Sequence, residues 1–308
     1  MLKIYQQTIA SPISLEGIGL HSGKKSKITI LPGKDNQGII FRRIDLNKNN
    51  IVFANFANVS SAKLCTTLEN EHGVKVSTVE HLLAALYIAE IDNVTIDIDN
   101  VEVPIMDGSA KNFLEILKKT NIKILSKKRK YLKIINKVEL KDGSRQMYIE
   151  PHNSSLEVDF ELNYKNEIIG NQRNTVNFQN DDLDDLSNSR TFCLYEDIEK
   201  IKKAGLAKGG SLKNAVVVDK EKVLNEEGLR NPKEFVNHKI LDLAGDFLLS
   251  GFRIIGKVTC NQGGHELTNM FLRKLLEMKN ASTNVELEEI SISKKISDNQ
   301  SIKLAVNA

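Results

Sequence analysis

Two helix–turn–strand segments, one in each half of the chain, constrain the fold more than any other feature. Hydrophobic periodicity predicts a helix that starts at Ser77, a turn at residues 91–93 and the apolar strand NVTIDID. It predicts a second helix from about Pro232 to Ser250, followed by the strand RIIGKVTC. Each helix carries a histidine in its early turns, His81 and His238. We therefore predict an α+β protein made of two diverged copies of one unit, forming a layered sandwich with the helices packed between two sheets.

The charged segment SKKRKYLKI, residues 126–134, separates the two copies. Strand-like runs resume there with YLKIINKVEL and SLEVDFELNY, and a length of 308 residues suits two domains better than one. We place the first α+β domain at residues 1–127 and the second at residues 128–308. Two like domains packed face to face form a cleft to which each donates side chains, so His81 and His238 are expected to meet there.

Charge and composition exclude several classes of protein. The net charge of +3 supplies no strong field to attract nucleic acid or an anionic membrane. The first residues lack the pattern of a signal peptide, and no stretch approaches the roughly 20 apolar residues of a membrane span, so we expect a cytoplasmic protein. Cys65, Cys193 and Cys260 are odd in number and far apart, which indicates reduced thiols rather than disulfides or a CxxC zinc knuckle.

The second predicted helix presents one imidazole and two carboxylates on a single face. His238, Asp242 and Asp246 follow at i, i+4 and i+8, which spans an arc of roughly 80°. A histidine and an aspartate one turn apart can bind the same zinc ion, whose protein ligands are nitrogen, oxygen or sulfur. The alternative is a solvated surface pair. The apolar residues around the stripe favour the metal site, because buried charge requires a counter-charge or a metal.

Glu80 and His81 are adjacent in the otherwise apolar stretch TVEHLLAALYIA. A histidine in such a helix is commonly a hydrogen-bonded core residue, and a glutamate in a first turn stabilises the helix dipole. A metal site explains both residues at once, because His81 completes the ligand set and Glu80 lies close enough to take a proton from water at the metal.

His265 lies in the segment NQGGHELTN, which we predict to be a loop after the strand RIIGKVTC. The two glycines before it allow the backbone to approach another surface closely. The alternative for His265 is a solvated loop histidine, and the same holds for His21 in EGIGLHSGK. His72 and His152 have no candidate partners in sequence, and we assign them no role.

The motifs EGIGLHSG, STVEHLLAAL, VPIMDGSA, SRTF, NEEGLRNPKEFVNHKILDLAGD and GGHELTN, in this order, resemble the UDP-3-O-acyl-N-acetylglucosamine deacetylases, zinc enzymes of lipid A synthesis. The resemblance covers residues 6 to 277. It implies two β-α-α-β domains with the helices between the sheets, and one Zn²⁺ per chain. The roles that it implies are zinc ligation by His81, His238 and Asp242, general base for Glu80, protonated acid for His265, support of His265 by Asp246, and hydrogen-bond donation to the tetrahedral intermediate by Thr191.

The resemblance also implies substrate contacts. An insert in the second domain, near residues 193–217, would form an apolar passage for an acyl chain. The positions that match its lining are Phe192, Ile198, Gly210, Ser211 and Val217, with Leu20 from the first domain. Lys239 matches a residue that contacts the substrate near the diphosphate, and Asp197 matches a contact at the nucleotide end.

Three positions depart from the family pattern. Gln262 stands where many members have a lysine, and Arg145 is the basic residue after the DG turn, so a diphosphate contact is lost or moved. Ala207, in the passage region, leaves the preferred acyl length open.

These features predict hydrolysis of the N-acetyl group of UDP-3-O-(3-hydroxyacyl)-N-acetylglucosamine, the committed step of lipid A synthesis. The expected partner is a small UDP-sugar with an acyl chain, and no nucleic acid or transmembrane segment is expected. The polar tail after about residue 278 has no room for the dehydratase domain fused to some relatives, so we expect a monomer that acts alone. Two alternatives stay open: a non-catalytic module that binds a nucleotide sugar or RNA, and a zinc hydrolase with another acylated substrate.

Overall fold

The chain folds into twenty strands and six α-helices within residues 2–153 and 155–288, which the computed structural model describes. The strands of the first half are β1 Tyr5–Ile9, β2 Ile13–Ile18, β3 Lys25–Pro32, β4 Ile39–Arg43, β5 Ile51–Phe53, β6 Val59–Ser61, β7 Thr67–Glu69, β8 Lys75–Ser77, β9 Val94–Ile98 and β10 Ile122–Lys128. The strands of the second half are β11 Lys130–Ile134, β12 Val138–Asp142, β13 Arg145–Glu150, β14 Leu156–Asn163, β15 Asn171–Asn177, β16 Phe192–Leu194, β17 Val216–Asp219, β18 Lys222–Val223, β19 Arg253–Asn261 and β20 Ser282–Glu286. The α-helices are α1 Glu80–Ile88, α2 Lys111–Leu117, α3 Asp184–Asn188, α4 Tyr195–Lys203, α5 Glu234–Leu248 and α6 His265–Glu277, and a 3₁₀ helix spans Phe56–Asn58.

Each half of the chain has one main sheet, in which the strand after the long helix lies in the interior. In the first half the strand order is β2-β3-β9-β4-β5, and β9 pairs antiparallel with β3 and parallel with β4. In the second half β19 pairs antiparallel with β13 and parallel with both β11 and β14. The predicted repeat of helix, turn and strand is therefore present in both halves, and the α+β fold class is confirmed.

The helices α1 and α5 pack against each other at backbone contact distance. Gly245 makes this approach possible, because a Cβ atom at that position would lie 2.1 Å from the carbonyl oxygen of Glu80. Every residue from Glu80 to Tyr87 is buried, as expected for a helix that is apolar around nearly its whole circumference. The buried side chains of both sheets and both helices join in one hydrophobic core, so α1 and α5 lie inside the protein.

A buried arginine from the second half fixes the end of α1. Arg253, at the start of β19, donates hydrogen bonds to the carbonyl oxygens of Leu86 (3.2 Å) and Ile91 (3.0 Å) and to that of Tyr87. These carbonyls lie at and beyond the last turn of the helix, where the regular backbone pattern ends. Leu86 and Tyr87 also accept irregular backbone bonds there, from Ile91 N at 2.9 Å and Glu90 N at 3.1 Å, and Arg253 adds side-chain donors to them. The histidine-bearing helix of one half is thus tied at its C terminus to the sheet of the other.

The observed elements differ from the predicted ones at several boundaries. The first helix begins at Glu80 rather than Ser77, because Thr78 has a left-handed backbone with φ of 57°. The second spans Glu234–Leu248 rather than residues 232–250, and Gly251 follows it with φ of 78°, as a C-terminal stop should. The run YLKIINKVEL forms two strands, because Ile135 and Asn136 turn away to donate to the carbonyl of Ala281.

The C-terminal end of the described chain is also more ordered than its composition predicts. The supposed polar tail after residue 278 contains β20, which pairs antiparallel with β11. Residues 289–308 of that tail lie outside the described residues.

The chain crosses from one half to the other around Arg129. The strand β10 pairs with β1, whereas β11 joins the seven-stranded sheet of the second half. We propose that the two domains divide there, between residues 127 and 128. Among the described helices, none is long and apolar enough to cross a membrane.

Candidate metal centre and active site

Three side chains from α1 and α5 converge on one buried point. Asp242 Oδ1 lies 3.4 Å from His81 Nε2 and 3.4 Å from His238 Nε2, and the two imidazole rings meet edge to face at 4.9 Å. The three residues are only 1–4% exposed. The helix stripe and the histidine of the first half therefore face each other, and the surface-pair alternative for His238 and Asp242 is wrong.

The geometry of these atoms suits a divalent cation. A tetrahedral site with metal–ligand distances of about 2.0–2.2 Å places its ligand atoms roughly 3.3–3.6 Å apart, which includes the two 3.4 Å separations measured here. Asp242 Oδ1 is buried and has no hydrogen-bond partner among the described residues. A buried oxygen without a partner costs free energy, so the donor set fits a group that this oxygen would bind.

His238 is held in the form that ligates a metal. Its Nδ1 lies 3.1 Å from the carbonyl oxygen of Ser189, so Nδ1 carries the proton and the lone pair of Nε2 points to Asp242. Burial lowers the pKa of the His238 imidazole to about 3. Asp242 opposes this fall, whereas the neighbouring His81 and Lys239 add to it. The ring is therefore neutral at any ordinary pH.

Lys239 forms a hydrogen bond with the second carboxylate oxygen of Asp242. Its Nζ donates to Asp242 Oδ2 at 3.0 Å and lies 5.5 Å from the centre of the Phe192 ring. Burial opposes ionisation of Asp242, but His238, Lys239 and His265 outweigh it and hold the pKa of this carboxyl well below its usual range. Asp242 thus stays an anion, as a metal ligand must.

Glu80, the first residue of α1, lies beside the triad with 2% of its surface exposed. Its Oε2 accepts a hydrogen bond from the backbone N–H of Thr66 at 3.1 Å. Burial raises the pKa of the Glu80 carboxyl, and the nearby Asp242 and Asp246 add to the rise, although His265 and His81 oppose it. A raised pKa makes a carboxylate a better acceptor for a proton from water.

The sequence predicted that His265 lies in a loop, and this prediction is wrong. His265 is the first residue of α6. Its Nδ1 lies 2.8 Å from Asp246 Oδ2, and its Nε2 lies 3.8 Å from both Glu80 Oε1 and Asp242 Oδ2. Burial disfavours the charged ring, but Asp246, Asp242 and Glu80 outweigh it and raise the pKa of His265 to about 10. His265 is therefore an imidazolium that presents Nε2–H to the same point as the triad.

A polar cavity of about 390 Å³ opens onto this centre. Its walls include all three candidate ligands together with Glu80, His265, Thr191, Lys239 and Asp197. Thr191 is placed by the first half of the chain, because its backbone N–H donates to the carbonyl of Gly108 at 2.8 Å. Asp246 lies behind His265 and is not part of the cavity wall.

An apolar cavity of about 350 Å³ adjoins the polar one. Six residues line both cavities, among them Leu20, Thr191 and Phe192. Every residue that the sequence assigned to a passage lines the apolar cavity: Leu20, Phe192, Ile198, Gly210, Ser211 and Val217. Ala207 lines it as well, so the departure at that position falls within the passage.

Arg145 and Gln262, the other two positions that depart from the family pattern, make different contacts. Arg145 lies in the wall of the polar cavity and pairs with Asp142 and with Glu266 at 3.3 Å. The side chain of Gln262 instead donates to the carbonyl of Asn163. Arg145 is therefore a basic group in the wall of the polar cavity.

Sequence reasoning missed Thr66 and Ser189. The Thr66 hydroxyl donates to Asp246 Oδ1 at 2.7 Å while its backbone binds Glu80, so one residue orients both the carboxylate of α1 and the partner of His265. Thr66 lies outside the quoted motifs. Ser189 begins the motif SRTF, but it acts through its backbone carbonyl, so only the three-dimensional structure identifies its contact with His238. His72 and His152, to which the sequence assigned no role, lie outside both cavities.

The sequence pattern of the family described as UDP-3-O-acyl N-acetylglycosamine deacetylase matches residues 6–277. A UDP-3-O-acyl-N-acetylglucosamine deacetylase of Geotalea uraniireducens is 41% identical over 284 residues, covering 92% of both chains. Enzymes of the same name from Pseudoalteromonas translucida (41%; 90% of this chain, 92% of the relative) and Aliivibrio fischeri (40%; 94% and 96%) are similarly close. The resemblance inferred from the motifs is confirmed, and the chain belongs to the UDP-3-O-acyl N-acetylglycosamine deacetylase family.

Proposed function

We propose that this protein is a zinc-dependent hydrolase that removes the N-acetyl group of UDP-3-O-(3-hydroxyacyl)-N-acetylglucosamine, giving the free amine and acetate, in the lipid A pathway. One observation carries the proposal. The His-His-Asp centre, with the Glu80 carboxylate and the His265 imidazolium beside it, lies in the wall of a polar cavity that adjoins an apolar one. That arrangement suits a substrate with a polar nucleotide end and an apolar chain. We place the enzyme in the cytoplasm, acting as a monomer.

The proposed ligands are His81, His238 and Asp242, and the proposed metal is one Zn²⁺ per chain. Two imidazole nitrogens and one carboxylate oxygen are a ligand set of catalytic zinc sites, which retain an open position. When bound, zinc supplies Lewis acidity that lowers the pKa of water and polarises a carbonyl oxygen.

Glu80 is the proposed general base. It takes a proton from the attacking water, and its buried, raised-pKa carboxyl suits that task. The hydrogen bond from the Thr66 backbone to Oε2 leaves Oε1, which faces His265 Nε2, as the oxygen that receives the proton.

His265 is the proposed acid. Its Nε2–H first stabilises the negative oxygen of the tetrahedral intermediate and then protonates the leaving amine, while Asp246 keeps the ring charged. The Thr191 hydroxyl, in the wall of the same cavity, is the proposed second donor to that oxygen. Since charge develops on the oxygen only during the reaction, both donors stabilise the transition state more than the substrate.

The remaining residues bind the two ends of the substrate. Lys239 and Arg145 supply positive charge for the diphosphate, and Asp197 contacts the nucleotide end. The acyl chain occupies the apolar cavity lined by Leu20, Phe192, Ile198, Gly210, Ser211 and Val217, where each buried methylene contributes about 0.8 kcal/mol.

One experiment separates this proposal from its alternatives. Metal content and deacetylation of the acylated UDP-sugar are measured in the wild type, in His81→Ala and, as a control, in the partly exposed His72→Ala. We expect about one zinc per chain and turnover in the wild type and the control, and neither in His81→Ala. Zinc without turnover on this substrate would favour a hydrolase of another acylated compound, and the absence of both would favour a binding module.

A further inference from the structure

Glu102 is a buried carboxylate outside the proposed catalytic set. It is 1% exposed and follows β9 in a short stretch that pairs with Ser77. Three neutral donors bind it: the backbone N–H of His21 at 2.8 Å, the backbone N–H of Ser22 at 2.7 Å and the hydroxyl of Thr78 at 2.9 Å. Within the described residues it forms no ion pair. Burying a carboxylate is costly, and these three bonds offset the cost only if the donors stay in place.

Two of the donors belong to a tight turn at residues 19–23. The turn closes through a hydrogen bond from Gly23 N to the carbonyl of Gly19 at 3.0 Å. Gly19 has no room for a side chain, because a Cβ atom there would lie 2.4 Å from Glu102 Oε2 and 2.3 Å from Ser22 Oγ. The turn is therefore wrapped around the Glu102 carboxylate.

The outer side of the same turn binds the insert of the second half. Lys208 N donates to the carbonyl of His21 at 3.3 Å, and Gly209 N donates to that of Leu20 at 3.0 Å. A Cβ atom on Gly209 would lie 2.3 Å from the carbonyl oxygen of Gly19, so the two backbones touch. The side chains of Leu20, His21 and Ala207, all on these two segments, line the apolar cavity.

We propose that Glu102 is a specificity-determining positioning residue, which fixes the turn at residues 19–23 against residues 207–210 and thereby sets the width of the apolar passage. This inference rests on the proposed function, in which the passage holds the acyl chain. Glu102 lines neither cavity, and it acts through the backbone of His21 and Ser22. Its bond to Thr78, two residues before Glu80, ties the passage wall to the start of α1.

The chemical reason for a carboxylate is its two acceptor oxygens. Oε1 binds His21 and Thr78 while Oε2 binds Ser22. Glu102→Gln keeps the shape of the side chain but replaces one acceptor with an NH₂ group that faces a donor. The turn must then move, and the wall of the passage moves with it.

The test is the dependence of kcat/KM on acyl length, measured with a series of substrates that differ in the 3-O-acyl chain. In the wild type each additional buried methylene should raise kcat/KM by about fourfold until the passage is filled. In Glu102→Gln we expect an increase of about twofold or less per methylene, while kcat on the shortest substrate stays within about threefold of wild type. Asp99→Asn is the matched control, because Asp99 accepts a hydrogen bond from the backbone N–H of Lys27, away from the passage. This variant should keep the wild-type slope, which is the increase in kcat/KM per added methylene.

A second variant changes the contact between Gly209 and Gly19 on the side of the insert. Gly209→Ala pushes residues 207–210 away from Gly19 without altering Glu102 or α1, and it should reduce the slope in the same way. An unchanged slope in both variants, or an equal loss on every substrate, would overturn the inference.

Hydrogen exchange tests the same inference in the wild-type protein, so it does not depend on whether a variant folds. The amides of His21 and Ser22 should exchange at least about a hundredfold more slowly than in an unfolded chain, because a buried carboxylate binds both. Rapid exchange of these amides would also overturn the inference. A wild-type protein that fails to deacetylate any substrate of the series would instead overturn the proposed function.

Discussion

The contact between α1 and α5 at Gly245 leads to our most specific prediction. In Gly245→Ala the new methyl group would lie 2.1 Å from the carbonyl oxygen of Glu80 and 3.0 Å from Ala84 N, both of which are backbone atoms that cannot rotate away. A carbon and an oxygen need somewhat more than 3 Å, so the helices must separate by about 1 Å. His81 is on one of these helices, and His238 and Asp242 are on the other.

The expected effect follows from the tolerance of metal bonds. A protein ligand must lie within about 0.2 Å of its preferred distance, so a displacement of about 1 Å should lower zinc affinity by a hundredfold or more. Alanine favours a helix over glycine by about 1 kcal/mol, but overpacking of a core costs about 1–3 kcal/mol, so the metal-free protein should also be less stable.

Gly256→Ala is the matched control. It places the same methyl group 2.6 Å from Ile134 Cγ1, in the seven-stranded sheet, and should lower stability while leaving the zinc affinity unchanged. We would measure zinc affinity by competition with a coloured chelator, and stability by thermal unfolding of the metal-free proteins. Wild-type zinc affinity in Gly245→Ala would refute the argument that the backbone contact sets the position of the ligands.

Four further predictions concern the reaction itself. Glu80→Gln and His265→Ala should each lower kcat at least about a hundredfold with zinc content unchanged, measured by steady-state kinetics and metal analysis. Asp246→Asn removes the charge that raises the pKa of His265 to about 10, so the alkaline loss of kcat/KM, where the ring deprotonates, should move to lower pH in a pH–rate profile. Val217→Phe should lower kcat/KM more than tenfold for long acyl chains and little for the shortest ones, because the larger side chain fills the passage. Chelation of the metal should abolish turnover and lower the melting temperature, and added zinc should restore both.

Three results would contradict these roles. Near wild-type turnover in Glu80→Gln would exclude this carboxylate as the base, and an unmoved alkaline limb in Asp246→Asn would separate Asp246 from the protonation of His265. Full activity in the presence of a strong chelator would remove the metal from the reaction.

Local patterns in the sequence, together with the resemblance to the deacetylase family, predicted which side chains would meet at the centre of the site. The i, i+4 spacing of His238 and Asp242, and the apolar run around His81, are properties of single helices, and the repeated order of elements places the two helices face to face. The structure confirms that the three side chains meet.

The supporting contacts were not predictable, because they join distant parts of the chain. Thr66 binds Asp246 across 180 residues, and Glu102 binds His21 across 81. Neither hydrogen bond leaves a periodic signal in sequence. The start of α6 at His265 was missed for a related reason, since Gly264 precedes it and provides no side-chain cap. The strand β20 was missed because most of its side chains are polar and solvent-accessible.

The division of the proposed ligands between two helices also bears on biosynthesis. Ribosomes complete the N-terminal half first, and that half contributes one of the three donors, His81. A single imidazole retains zinc poorly, whereas the remaining two donors arrive with α5, more than 150 residues later. With the proposed ligands, the site is therefore incomplete until α5 has been made and has docked on α1, so loading with the cation would report the docking of the two halves.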